Sequence, residues 1–153
     1  MSPDVLEHWM EEAILQAEQA LKHDEVPIGA VLVNGGQIIG AGYNVRESLS
    51  KTTGHAEIQA LESFNQKARS WRLPPGTSLF VTAEPCLMCT GALLAGRISH
   101  IYFGCSDTRG AGLSHIQPFI AAGKYDHQPQ TITGGVLRER CASLLSNYFK
   151  SKR

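Results

Sequence analysis

The sequence predicts an α/β domain in which helices cover a mostly mixed sheet. Helical and strand patterns alternate along the whole chain. An Asn-Gly-Gly turn at 34–36 joins two apolar runs, which indicates an antiparallel hairpin. A strand–helix–strand step over 78–104 requires a right-handed crossover between parallel strands. The 153 residues are enough to bury a core, and we predict one domain over residues 1–153.

The first half of the chain is predicted to hold two helices around the hairpin. Residues 4–23 carry apolar side chains at helical spacing, with glutamates off that stripe. Pro27 breaks the pattern, and the apolar runs 28–33 and 37–43 are the predicted strands of the hairpin. A polar loop over 44–54 then leads into a second helix, which we predict at 55–68.

The second half is predicted to repeat strand and helix in short pieces. A buried strand at 78–82 is followed by Pro85, which is typical of a first helical turn, so we expect a helix over 86–95. The remaining predictions are a strand, a glycine-rich loop, a short helix, a last strand and a final amphipathic helix, at 99–104, 104–112, 115–122, 130–133 and 136–150.

Composition limits the compartment and the class of partner. No apolar run approaches the roughly 20 residues that a membrane helix needs, and no secretory signal is visible at the N-terminus. The four cysteines are too few for a disulfide scaffold at this length, so they are predicted to be cytosolic thiols or metal ligands. We therefore expect a cytoplasmic protein with no membrane partner.

Charges are separated along the chain although the net charge is zero. The first 25 residues hold seven acidic side chains and one lysine, whereas the last 16 hold five basic side chains and one glutamate. The basic end is either a patch that contacts phosphates or a solvated helix end with favourable charges. The residues alone leave both interpretations open.

Two short patterns indicate a metal site: Cys86-x-x-Cys89 and His55-x-Glu57, each at a predicted helix start. Zn²⁺ favours thiolate and imidazole ligands in tetrahedral geometry. Residues i and i+3 of a helix share one face, roughly 5–6 Å apart between Cβ atoms. A two-cysteine, one-histidine set leaves a fourth position open, which is the mark of a catalytic zinc. Glu57 is then the candidate for proton transfer without ligation.

A lone Cys-x-x-Cys also occurs in redox pairs and in zinc ribbons. A ribbon needs a second ligand pair, which the isolated Cys105 and Cys141 do not supply; we expect both to be small buried side chains. A redox pair leaves the His-x-Glu pattern unexplained. The combination therefore favours the catalytic zinc site.

The combined pattern is the signature of zinc nucleobase deaminases. Beyond it, the chain resembles the bacterial tRNA-specific adenosine deaminases from about Leu6 to Arg153. Deaminases of free bases or nucleosides are not expected to end in the aromatic and basic helix found here. The chain departs from the family pattern at Gly54, where alanine is common, and at Ala83, where leucine is common. The resemblance rests on segments 25–33, 42–44, 54–58, 82–92, 96–98, 102–104 with Asp107, and 141–153.

This resemblance implies a three-layer cytidine-deaminase-like fold with a five-stranded mixed sheet flanked by helices. It implies a homodimer with one Zn²⁺ per chain, bound by His55, Cys86 and Cys89. The implied reaction is hydrolytic deamination of the wobble adenosine to inosine in the anticodon stem-loop of an arginine tRNA. Zinc-activated water would be the nucleophile and Glu57 the proton shuttle.

The resemblance also assigns substrate contacts by position. Asn44 is expected to hydrogen-bond the flipped nucleotide, Val26 and Pro27 to wall its pocket, and Asp107 to lie near the neighbouring anticodon nucleotides. The residues expected to stack on the RNA or contact its phosphates are Tyr148, Phe149, Lys150, Lys152 and Arg153.

Two other function classes stay open on the residues alone. One is a zinc deaminase of a free base or nucleoside, of the guanine or cytosine type. The other is a non-catalytic RNA-binding protein that uses zinc structurally, against which the intact Glu57 argues.

Overall fold

The computed structural model describes residues 1–107 and 112–153 and confirms the α/β class. A five-stranded sheet forms the middle layer, and helices cover both of its faces. Within the described residues, none of the helices is long and apolar enough to cross a membrane. The strands are β1 (Gly29–Asn34), β2 (Gln37–Tyr43), β3 (Ser78–Ala83), β4 (His100–Cys105) and β5 (Thr131–Thr133). The helices are α1 (Pro3–Lys22), α2 (Ala56–Ala68), α3 (Leu87–Ala95), α4 (Leu113–Ala121) and α5 (Arg138–Ser151).

The sheet is mixed, with strand order β2-β1-β3-β4-β5. β1 pairs antiparallel with both β2 and β3, and the two pairs from β3 to β5 are parallel. Gly35 and Gly36 have positive φ values of 58° and 73°, as the tight turn of a two-residue hairpin requires. The predicted hairpin and the predicted parallel crossover are both confirmed.

Two apolar clusters lie on opposite faces of the sheet. Side chains from α2, α3 and α4 pack on one face, and side chains from α1 and α5 pack on the other. β3 contributes to both clusters because successive strand side chains alternate: Leu79 and Val81 face the first, and Phe80 faces the second. The central strands are therefore buried on both sides.

Helix α2 lies directly on β2 because glycines leave room for its backbone. A Cβ atom at Gly42 would lie 2.5 Å from Cβ of Gln59 and 2.6 Å from the main-chain nitrogen of Ala60. At Gly40 it would lie 2.5 Å from the Ala60 carbonyl oxygen. This close approach determines where the first turn of α2 lies, and that turn carries Glu57.

All five described helices start one or two residues away from the predicted positions; α1 begins at 3 rather than 4, and α5 at 138 rather than 136. Pro85 is not in the first turn of α3, because Cys86 is the N-cap and has an extended backbone with ψ of 176°. The Pro85 carbonyl accepts a hydrogen bond from Leu113, and Cys86 forms a β-bridge with Gly112, so this segment cannot be helical. α4 begins at residue 113, two residues earlier than predicted, and α2 begins at 56 rather than 55. Residues 108–111 of the predicted glycine-rich loop lie outside the described residues.

Candidate active site

Two helix N-termini meet beside the end of the central strand β3. His55 is the N-cap of α2 and Cys86 is the N-cap of α3, and both have extended backbones. Neither side chain caps its own helix by a hydrogen bond. Cys89 follows in the first turn of α3. The imidazole and the two thiols are thus brought together from separate parts of the chain.

The three groups have the spacing of a single tetrahedral metal site. Nδ1 of His55 lies 3.6 Å from Sγ of Cys86 and 3.5 Å from Sγ of Cys89. All three ligand atoms lie within 4.8 Å of one another. Tetrahedral zinc with ordinary bond lengths separates a ligating nitrogen from a ligating sulfur by about 3.6 Å. Over residues 1–107 and 112–153, no other group of metal-ligating side chains comes together in this way.

The charges at this site suit a cation. A hydrogen bond from Cys89 lowers the pKa of Cys86 to about 3, and His55 stabilises the same thiolate. The pKa of Cys89 is raised because this thiol donates that hydrogen bond and is buried. The hydrogen bond with Cys86 raises the pKa of His55. These shifts favour a thiolate at Cys86, which a cation would bind, and metal binding would release the remaining thiol proton.

Glu57 lies beside this cluster and outside the group of three ligands. Its side chain is 4% exposed, and this burial raises the pKa of its carboxyl group to about 7. A hydrogen bond with Cys89 also contributes to the pKa of both groups. A carboxyl group of this kind can both accept and release a proton near neutral pH. The arrangement can therefore hold a metal ion and move protons next to it.

Predicted pocket residues come from two neighbouring segments. Val26 is half-buried and Pro27 is buried, just before β1, and Asn44 is 8% exposed just after β2. The main-chain N–H of Asn44 donates to the Ile28 carbonyl at 3.1 Å, which joins the two segments. Oδ1 of Asn44 accepts a hydrogen bond from the main-chain nitrogen of Arg46 at 2.9 Å.

Sequence reasoning missed Glu25, which holds the loop between β2 and His55. This side chain is 1% exposed. Its two carboxylate oxygens accept hydrogen bonds from the main-chain nitrogens of Glu47 at 3.2 Å and Ser48 at 2.9 Å, and from the Ser48 hydroxyl at 2.7 Å. Burial alone would raise the pKa of Glu25, but these hydrogen bonds outweigh it and hold the pKa below its usual value. The available signal was its place at the start of segment 25–33, one of the segments that carry the family resemblance.

The packing of the same loop explains why this chain has glycine at position 54, where the family commonly has alanine. A Cβ atom here would lie 2.9 Å from both Cα and the main-chain nitrogen of Arg46. The Gly54 carbonyl also accepts a hydrogen bond from Val45 at 2.8 Å. In this chain the loop is packed too closely at this position for an alanine side chain.

Glu84 is a second buried carboxylate that sequence reasoning missed. It is 7% exposed and lies two residues before Cys86. Its Oε1 accepts a hydrogen bond at 3.2 Å from the main-chain nitrogen of Asp107, which is partly buried. The available signal was its place in the Thr-Ala-Glu-Pro-Cys run, directly after a buried strand.

The C-terminal end of α5 is attached to the end of α1. The hydroxyl of Tyr148 donates a hydrogen bond to the Asp24 carbonyl at 3.2 Å, and Lys152 forms an ion pair with the Asp24 carboxylate. The remaining three residues of this predicted RNA-contacting set, Phe149, Lys150 and Arg153, are exposed. Arg140 and Glu11 form a further ion pair between the two helices. The opposite charges of the two ends of the sequence thus pair with each other in part.

The two remaining cysteines are buried, as predicted. Cys105 is 7% exposed and Cys141 is 1% exposed. Burial raises the pKa of Cys141 to about 12. Neither belongs to the metal-ligating group.

Comparison with known proteins shows that the chain is similar to deaminases. The family of MafB19-like deaminases matches residues 6–141. A tRNA-specific adenosine deaminase of Streptococcus pyogenes serotype M1 is 37% identical over 146 residues, which is 95% of this chain and 84% of the relative. The tRNA-specific adenosine deaminase of Bacillus subtilis is 37% identical over 147 residues, which is 96% of this chain and 90% of that protein.

Solved structures give the same picture of the fold. One comes from a study of A-to-I editing by tRNA:A34 deaminases at the wobble position of transfer RNA. It is 36% identical, has a TM-score of 0.83, and the match covers 90% of this chain and 99% of that one. A guanine deaminase from Nitrosomonas europaea shares the fold at 23% identity, with a TM-score of 0.73 and coverage of 93% and 83%.

Proposed function

Because the chain belongs to the family of tRNA-specific adenosine deaminases, we propose that it converts adenosine to inosine at the wobble position of a tRNA anticodon. The observation that carries this proposal is the cluster of His55, Cys86 and Cys89 with a buried Glu57 beside it. The reaction consumes water and releases ammonia. An arginine tRNA is the proposed substrate.

The metal that we assign to the cluster is one Zn²⁺ per chain. The donor set of two sulfurs and one nitrogen fits zinc in both chemistry and spacing. When bound, zinc supplies Lewis acidity that makes water nucleophilic at neutral pH.

Glu57 is the proposed proton carrier. It accepts a proton from the attacking water and donates it to N1 of the adenine ring, so that oxygen adds at C6 as the ring gains the proton. Glu57 then carries the proton of the new C6 hydroxyl to the exocyclic nitrogen, the bond between C6 and that nitrogen breaks, and ammonia leaves as C6 becomes the carbonyl carbon of inosine. The pKa of Glu57, raised by burial to about 7, suits a group that must be both base and acid.

The pocket wall and the loop beside it would recognise the flipped nucleotide. We assign Val26 and Pro27 to the wall, and Asn44 to a hydrogen bond with the nucleotide. Since Oδ1 of Asn44 already accepts from Arg46, the amide nitrogen of Asn44 is the group we assign to that contact. Asp107 is assigned to the neighbouring anticodon nucleotides.

The end of α5 would bind the rest of the anticodon loop. Exposed aromatic rings can stack on bases, and exposed cations can contact phosphates. Phe149 is 49% exposed, with Tyr148 at 5.3 Å from it between ring centroids. The proposed phosphate contacts are Lys150, Lys152 and Arg153. We further propose that the protein works as a homodimer and, given its tRNA substrate, in the cytoplasm.

One experiment tests the reaction and its class together. Zinc-loaded protein is incubated with an anticodon stem-loop of arginine tRNA that carries adenosine at the wobble position, and inosine is measured. We expect conversion by the wild type and none by Glu57→Ala. Turnover of free guanine, cytosine or nucleosides without turnover of the stem-loop would replace this proposal by a small-molecule deaminase. Full activity of Glu57→Ala would contradict the proposed mechanism.

A further inference from the structure

The carboxylate of Glu84 lies between the metal-binding turn and the segment that carries Asp107. The main-chain nitrogen of Glu84 donates to the Cys105 carbonyl at 2.8 Å, which extends the β3–β4 pairing by one residue. Pro85 and Cys86 follow directly. The sheet therefore fixes the backbone of Glu84 at a set distance from the cysteine ligand.

The two oxygens of Glu84 accept hydrogen bonds from separate segments. Oε1 accepts from the main-chain nitrogen of Asp107 at 3.2 Å, and Oε2 accepts from that of Ser114 at 2.9 Å. Ser114 is in the first turn of α4, where an N-cap side chain would normally satisfy the free N–H groups. The N-cap of α4 is Gly112, which has no side chain. Glu84 thus supplies this acceptor from another part of the chain, and its negative charge suits a helix N-terminus.

Gly112 shows how closely these groups pack. A Cβ atom on Gly112 would lie 2.1 Å from Oε2 of Glu84 and 3.0 Å from Cβ of Asp107. The bridge between Cys86 and Gly112, and the hydrogen bond from Leu113 to Pro85 at 2.9 Å, join the same two segments. The start of α4 is therefore held against the metal-binding turn by these backbone contacts and by the Glu84 side chain, which also holds Asp107.

We propose that Glu84 is a positioning residue that fits the active site to the RNA next to the target adenosine. It acts through Asp107, whose distance from the metal ligands depends on the hydrogen bonds to Glu84. This inference rests on the proposed function, in which Asp107 contacts the neighbouring anticodon nucleotides. Glu84 itself touches neither the target base nor the metal.

A double-mutant cycle tests whether Glu84 acts through Asp107. The measurement is kcat/KM on stem-loops that differ only in the nucleotides flanking the wobble adenosine. It compares four zinc-loaded proteins: the wild type, Glu84→Gln, Asp107→Ala and the double variant. We expect each single variant to lose about tenfold on the preferred flanking sequence. Glu84→Gln places an amide NH₂ against a main-chain N–H and leaves a donor unpaired, and Asp107→Ala removes the proposed contact with the flanking nucleotides. The double variant should lose no more than the worse single variant. Flanking preference should weaken in all three variants.

Glu25→Gln is the matched control, since Glu25 is also a buried carboxylate that accepts main-chain N–H groups, but from the other loop. When Glu25→Gln is combined with Asp107→Ala, the fold-losses in kcat/KM of the two single variants should multiply. If the effects of Glu84→Gln and Asp107→Ala multiply as well, or if Glu84→Gln loses zinc and slows every stem-loop equally, the proposal is wrong. If Glu84→Gln does not fold, Gly112→Ala takes its place, because the added methyl group displaces the Glu84 carboxylate. Gly112→Ala should then show the weakened preference for flanking nucleotides that is expected of Glu84→Gln.

Amide hydrogen exchange, measured without RNA, tests whether Glu84 holds the main chain at Asp107 and Ser114. In Glu84→Gln the main-chain amides of Asp107 and Ser114 should exchange faster, whereas those of Glu47 and Ser48 should keep their protection. Unchanged protection at both Asp107 and Ser114 would overturn the proposal. A wild type that leaves every stem-loop unconverted would instead refute the proposed function, whatever the exchange result.

Discussion

Tyr148 donates a hydrogen bond to the carbonyl oxygen of Asp24 across a sequence separation of 124 residues. This bond joins the last turn of the chain to the residue directly before Glu25 and the pocket wall. Lys152 adds an ion pair to the same aspartate and lies 5.5 Å from the Tyr148 ring centroid. The end proposed to bind RNA is thus in contact with the segment proposed to bind the base.

Lys150 and Arg153 should contribute to tRNA affinity by contacting phosphate groups, without contacts to the bases. Replacing either by alanine should weaken binding about equally for all RNA sequences and reduce the slope of log K against log salt by about one. Arg69→Ala is the control, because Arg69 caps the far end of α2, about 20 Å along the helix from the metal site. Binding measured over a range of salt concentrations checks this. An unchanged slope in Lys150→Ala would show that this cation does not meet the RNA.

Zinc should stabilise the fold only when the three ligands are intact. We expect Cys89→Ser to lose most of its bound zinc and a chelator to lower the thermal midpoint of the wild type, but not of this variant. At a free zinc concentration 1,000 times Kd, the stabilisation of the wild type should be about 4 kcal/mol. Cys141→Ala is the control, since this buried thiol lies outside the ligand group and its loss should leave the zinc content at one per chain. Equal zinc content in both variants would contradict the assigned ligands.

Glu25 should make the stability of the fold depend on pH. Its folded-state pKa is below the ordinary value of 4.5, so its contribution is present above about 4.5 and is lost as the pH falls through the folded-state pKa. Glu25→Gln should cost about 1–3 kcal/mol near neutral pH and progressively less in acid. Urea unfolding of both proteins across this range measures the difference. Glu62→Gln, which removes a half-exposed ion pair with Lys51, should cost about 1 kcal/mol or less. A Glu25→Gln cost that does not change with pH would refute this account.

Close packing between α2 and β2 should make position 42 sensitive to a single methyl group. Gly42→Ala should destabilise the fold by about 1–3 kcal/mol, because the added Cβ meets Gln59 and the backbone of Ala60. It should also weaken zinc binding, since the ligand His55 is the N-cap of the displaced helix. Gly91→Ala is the matched control: nothing lies within 4 Å of its added Cβ, and alanine should stabilise this helix by about 1 kcal/mol. Denaturant unfolding and zinc titration of both variants check the two effects.

Sequence patterns predicted the order of the ten helices and strands found in residues 1–107 and 112–153, because each has a local cause. The Asn-Gly-Gly turn set the hairpin, and the apolar runs set the buried strands. The Cys-x-x-Cys and His-x-Glu patterns predicted that His55, Cys86 and Cys89 would come together, because each pattern stands at the start of a helix. The start of α3 was mispredicted because proline is common at the first helical position, so Pro85 suggested that the helix began beside it. The pairing of Cys86 with Gly112, which keeps Cys86 extended, is a long-range contact that a local pattern does not show.

The two carboxylates beside the site were not predictable in the same way. Glu25 and Glu84 bind main-chain N–H groups that lie at least 22 residues away in the sequence. Such partners leave no side-chain pattern, because every residue except proline carries the same donor. The ion pair between Lys152 and Asp24 was not predictable either, because its two residues lie at opposite ends of the chain.

This mode of attachment has an evolutionary consequence. Because Glu25 and Glu84 recognise mainly backbone rather than side chains, the shape of both loops is largely independent of the residues that line them. Substitutions at positions 47, 107 or 114 can alter what a loop contacts without removing the bond that holds it, provided proline is avoided. A lineage could therefore change which nucleotides are accepted around the target while inheriting the metal centre and its geometry intact.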